Sequence, residues 1–151
     1  MAGSLESRSA DGAVADSADA VSVLNAGAAI LAPVLAPAGF TFCLTRHGRS
    51  PGGGFATGRF TKGTQYLELH FRYSLGLVTY GWDDTAISHV DYLRGLRVTG
   101  SYPGYSDDPL GGFRHLALDL AGPLAGFGDG DRRGYEAGLE VARQPGSRQL
   151  P

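Results

Sequence analysis

The sequence predicts an α+β domain built on a four-stranded, mainly antiparallel sheet with helices packed on one face. Three observations predict it. Apolar residues recur at helical spacing between residues 20 and 36, change to a period of two from Phe40, and return to helical spacing after residue 88. The order is therefore helix, strands, helices, which is the pattern of an α+β fold rather than of alternating βαβ units. The chain has 151 residues, 42% hydrophobic and 19% charged, which suits a single globular domain with a buried core.

The first 18 residues are mostly Ala, Ser, Gly and Asp. So few large apolar groups cannot offset the entropy of ordering, and the sequence predicts a disordered arm over 1–18. Residues 144–151 have the same character, which leaves 19–143 as the domain. Asp19 is a candidate cap, since a short carboxylate accepts from the free amides of a first turn. Val23, Leu24, Gly27, Ile30, Leu31, Val34 and Leu35 follow at helical spacing, with Pro33 tightening the last turn and Pro37 and Gly39 ending it.

Phe40, Phe42 and Leu44 alternate with Thr41, Cys43 and Thr45, the mark of a half-buried strand. Residues 48–54 read as a Pro/Gly loop, 55–61 as a second strand and 62–64 as a turn. Over 65–73, Leu67, Leu69, Phe71 and Tyr73 point one way while Tyr66, Glu68, His70 and Arg72 point the other. A two-residue turn at Ser74 and Leu75 then leads to a fourth strand over 76–82. That turn would set Phe71 opposite Val78, Leu69 opposite Tyr80 and Leu67 opposite Trp82. Ser88 caps a short helix with Asp91 three residues on. Asp108-Pro109 starts another, carrying Leu110, Phe113, Leu116 and Leu120 until Gly122-Pro123. A last helix over 131–143 buries Tyr135 and Leu139.

Composition narrows the function classes. A net charge of -2 and a single lysine, Lys62, give no basic surplus to draw the chain to nucleic acid or an anionic membrane. Arg-over-Lys and Ala/Gly-rich usage suggests a GC-rich bacterial genome. With Cys43 the only cysteine, neither an intrachain disulfide nor a cysteine-based zinc cluster is possible, which fits a cytoplasmic protein. The apolar stretch 20–36 is interrupted by Ser22, Asn25 and Pro33 and preceded by acidic residues, unlike a signal peptide or a spanning helix. Four histidines show no metal-type pairing, and no metal or cofactor is expected.

Glu68-x-His70-x-Arg72 is the most informative surface feature. Alternation sets all three opposite the apolar row, with Arg59 beside them if its strand is the neighbour. They form either cross-strand ion pairs or a polar recognition surface with a histidine able to change charge near neutrality. Tyr102 and Tyr105, between turn residues, make a second candidate binding surface. Gly53–Arg59 has part of the spacing of a phosphate-binding loop but lacks its lysine and hydroxyl pair and precedes a strand.

Thr45-Arg46-His47-Gly48, at a strand end, resembles the signature of the histidine phosphatase superfamily. The resemblance implies that His47 takes a phosphoryl group and Arg46 holds the phosphate oxygens. The stretch around His89 is similar to that family's later histidine segment and implies a second phosphate ligand. That family's sheet is parallel with crossover helices, whereas a loop and a run of strands follow His47 here, so a phosphoryl-transfer enzyme stands as the alternative. The block from Gly58 to Tyr80 resembles small uncharacterised bacterial domains, and from about Val21 to Leu120 the element order is similar to that of single-domain α+β proteins found as immunity partners of secreted toxins. This implies a cytosolic, non-catalytic protein that binds another protein, with a small-molecule-binding domain as a further alternative.

Overall fold

A computed structural model describes residues 2–98 and 108–144, with side chains from Asp19 onward. The elements run α1 (Ala2–Leu35), β1 (Thr41–Ser50), β2 (Gly53–Lys62), β3 (Gln65–Arg72), β4 (Ser74–Trp82), β5 (Thr85–Ser88), α2 (His89–Gly95), α3 (Gly111–Ala121), α4 (Ala125–Asp129) and α5 (Arg133–Arg143). The helix start expected at Asp19 is not observed, because α1 is already helical there. The side chains of 2–18, and all of 145–151, lie outside the described residues, as do Tyr102 and Tyr105.

The sheet is α+β in context and antiparallel throughout, in the order β1-β2-β3-β4-β5. It has five strands, which corrects the four expected. The additional strand, β5, is four residues long and buries only Ile87, too short for a period of two to register. The expected loop at 48–54 is also shorter: β1 runs to Ser50, only Pro51 and Gly52 lie outside the strands, and Gly53 at φ 109 takes a conformation that suits glycine.

The expected β3–β4 register is displaced by two residues. Leu69 faces Val78, Leu67 faces Tyr80 and Gln65 faces Trp82. The chain reverses at Tyr73 alone, at φ 62, and Gly76 is the extra residue of a bulge between the Phe71–Leu75 and His70–Leu77 pairs. An even displacement leaves every side chain on its expected face, so the apolar row still points inward.

All the helices lie on that inward face. Ala20, Leu24, Ala28, Leu31 and Leu35 form one stripe of α1, against β1, β2 and α3. Gly27 admits the Phe113 ring of α3 where a methyl group would collide with it. Ser88 accepts from the Asp91 amide at 3.1 Å, so α2 starts where the capping pattern placed it. Asp108 accepts from the Leu110 amide at 3.0 Å just ahead of α3. Phe127 of α4, which the periodicity did not announce, is the hub of the core. Tyr80 and Trp82 meet it edge-on at 5.1 and 5.7 Å. Fully burying a side chain of this size contributes roughly 1.5–3 kcal/mol, so the hydrophobic effect places α4 despite its five residues. Lys62 and Gln65 reinforce it: Lys62 Nζ donates to the Ala38 and Gly128 carbonyls at 3.0 and 3.1 Å, and Gln65 Nε2 to that of Phe127 at 2.8 Å.

Candidate functional site

The opposite face of the sheet is covered by no helix among the described residues. Alternation puts Tyr66, Glu68, His70 and Arg72 of β3 on it, each half-buried, while Leu67, Leu69 and Phe71 point into the core. The register sets Arg59 of β2 and Thr79 of β4 on either side of Glu68, and Thr57 and Leu77 on either side of His70. Arg46 of β1 stands opposite Thr57. Strands β1 to β4, laid side by side, thus bring together three arginines, a glutamate, a histidine and several hydroxyls from distant points in the chain.

Their contacts are specific. Arg59 Nε donates to Glu68 Oε1 at 2.7 Å, and its guanidinium lies 4.0 Å above the Tyr66 ring. That ring covers Gly81, where any side chain would collide with it. The expected cross-strand ion pair therefore exists, stacked on an aromatic platform. Phe55, which no motif in the sequence singles out, anchors a second group. It stacks with the His70 imidazole at a centroid distance of 5.7 Å, and Arg46 and Arg72 lie 5.4 and 5.8 Å from its centroid. Alternation along β2 was the available signal, since Phe55, Thr57 and Arg59 are two residues apart. Neither Arg46 nor Arg72 has a carboxylate partner among the described residues.

His70 Nδ1 and Thr57 Oγ1 are 3.0 Å apart. Burial lowers the His70 pKa from its ordinary value, the charges of Arg72 and Arg46 lower it further, and Glu68 acts in the other direction. The imidazole is accordingly neutral at pH 7, and Nδ1 can accept from the Thr57 hydroxyl with the ring proton on Nε2. Between the two aromatic groups lies a half-open depression of about 370 Å³, bordered by Arg46, Thr57, Arg59, Glu68, His70 and Leu77. Leu77 is an apolar exception on this face, 65% exposed.

The residues of the phosphatase resemblance are not brought together. His47 and Arg46 are both exposed on β1, and alternation points them to opposite faces. His89 opens α2, directly after β5 at the other edge of the sheet. Four inter-strand steps separate the edges, about 19 Å. His89 is also fully buried, with Nδ1 2.7 Å from the Tyr80 hydroxyl and Nε2 3.0 Å from Asp119 Oδ2. Asp119 comes from α3, so this network unites residues far apart in sequence, for which no local pattern exists. Among the described residues, no group of three or more His, Cys, Asp or Glu side chains could hold a metal ion. Nor is any described helix long and apolar enough to cross a membrane.

By fold and surface, the molecule belongs to a simple class: an antiparallel meander with helices on one side and a polar, arginine-bearing face on the other. Compared with protein-family models, curated proteins and solved structures, the chain matches none.

Proposed function

We propose that this chain is a protein-binding module, immunity-like in layout, and that the uncovered face of its sheet is the binding surface. The observation that carries the proposal is the composition of that face. Three arginines share that face with Tyr66 and Phe55, and arginine and aromatic residues are the types that enrich protein interfaces, while Leu77 adds one exposed aliphatic side chain. Their contacts with one another hold them in place, so little side-chain entropy is left to lose on binding. A bacterial cytosolic setting, expected from the Arg-over-Lys and Ala/Gly-rich composition and the lone cysteine, belongs to the same proposal.

Affinity capture with matched surface variants tests it. A specific partner is retained by the wild-type protein and by Arg133→Glu, which changes a highly exposed side chain of α5. It is lost on Arg72→Glu and on Leu77→Asp, two changes within the open face. Capture that survives both of those changes overturns the proposal.

A further inference from the structure

Resting on the assignment of the open sheet face as a protein-binding surface, we infer that its occupant is an acidic, extended segment of the partner. It carries two carboxylates two residues apart with an apolar residue beside them. Among the described residues the face holds Arg46, Arg59 and Arg72 against the single carboxylate of Glu68, a positive surface on a chain whose net charge is -2. Glu68 is already held by Arg59 at 2.7 Å, so among the described residues the charges on this face left without a carboxylate are those of Arg46 and Arg72. Both lie over Phe55, at 5.4 and 5.8 Å from its centroid, which places their guanidinium groups at most about 11 Å apart. In an extended strand, residues i and i+2 project to the same side about 7 Å apart. Two carboxylate side chains at that spacing reach both cations, and guanidinium groups hold carboxylates through paired hydrogen bonds.

The shape of the surface points to a polypeptide rather than a small acid. Small-molecule sites enclose most of their ligand. Here the depression of about 370 Å³ is half open, and the arginines and Leu77 that would grip the ligand are spread over β1, β3 and β4. Leu77 offers an apolar footing that a dicarboxylate lacks and a peptide supplies. With His70 neutral, the attraction rests on the arginines and holds across the neutral pH range.

The probe is a capped heptapeptide alternating Glu with Val, compared with its Gln isostere and with succinate, each titrated into the full-length protein at low salt. The readout is the amide spectrum, in particular Thr57, Arg59, His70 and Thr79. The acidic peptide is expected to move these signals saturably, to bind at least tenfold tighter than the Gln peptide, and to weaken as salt is raised. Arg46→Gln and Arg72→Gln each cost about fivefold in affinity, the upper range for an exposed ion pair, with the rest of the spectrum unchanged. Equal binding of the Glu and Gln peptides at this face overturns the acidic inference and leaves the face as a protein-binding surface. Succinate binding as tightly as the acidic peptide overturns it in favour of a small-molecule site. No response to any probe overturns it too, and the face itself is then judged by partner capture.

Discussion

His89 is fully buried and joins two other polar side chains, the Tyr80 hydroxyl and the Asp119 carboxylate. As a neutral imidazole with its proton on Nε2, it donates to Asp119 and accepts from the Tyr80 hydroxyl, so all three groups are satisfied by a single tautomer. Burial is the largest influence on it and lowers its pKa. The Asp119 hydrogen bond and charge act the other way, and His115 lowers it further. The folded protein therefore binds a proton at this site less readily than the unfolded chain. The resulting stability is fully present above the ordinary histidine value of 6.5 and is lost as pH falls below it. His70 is shifted in the same direction and adds to the effect. The melting temperature is expected to be lower at about pH 5 than at pH 7. His89→Gln, which keeps a donor and an acceptor without the titration, should flatten that dependence; an unchanged slope in the variant would remove His89 as its source. The Ser50 hydroxyl presents the opposite case. It is buried with no hydrogen-bond partner among the described residues, so Ser50→Ala should leave stability unchanged or raise it by up to about 1 kcal/mol in denaturant unfolding. A clear loss would mean that the hydroxyl has a partner in solution.

Among the elements, the helices that follow the sheet are held by close approach rather than by long apolar faces. A side chain at Gly95 of α2 would collide with the backbone of Ala137 and Gly138 in α5, and one at Gly138 would collide with the end of the Ile87 side chain and crowd the Tyr92 backbone. Backbone cannot move aside as a flexible side chain can. Gly95→Ala is therefore expected to cost about 1–3 kcal/mol in chemical denaturation, despite alanine's better helix propensity. A stabilised variant would show that the two helices separate easily. Local patterns made some of these elements legible and not others. The Ser88 cap, the alternation of β3 and the buried Tyr135 and Leu139 of α5 could be read because each is settled within a few residues. Strand β5 and helix α4 were not legible. Each is too short to show a period and is held by distant groups, β5 by its ladder with β4, and α4 by Phe127 and its carbonyl bonds from Lys62 and Gln65. The β3–β4 register failed for a related reason, since a one-residue reversal at Tyr73 and a bulge at Gly76 carry no distinctive turn sequence. The Glu68, His70 and Arg72 row was legible because it needs only the period of one strand. Its Phe55 and Tyr66 platforms needed the strand order as well.

On the scale of the whole molecule, a five-stranded open sheet leaves two edges, and they are treated differently. Strand β5 is only four residues long and runs straight into α2. Strand β1 is ten residues long, and among the described residues its outer side pairs with no other strand. A long free edge is a template for pairing with another chain, and proteins disarm such edges with bulges and charge. Both devices occur on β1. The ladder with β2 shifts between Leu44 and Arg46, interrupting a flat run, and Arg46 and Arg49 are exposed on opposite faces of the strand. Two copies meeting at this edge would have to bring those guanidinium groups together and desolvate them, at a cost that grows as salt is lowered. Replacing both by valine removes the repulsion and raises β-propensity at once. The double variant Arg46→Val/Arg49→Val is expected to self-associate at concentrations where the wild-type protein does not change its state, seen as a rise in light scattering on gentle heating. Arg114→Val, an exposed change on α3, serves as the control for a simple gain in surface hydrophobicity. If the double variant scatters no more than this control, the arginines do not guard the edge, and the bulge alone is sufficient.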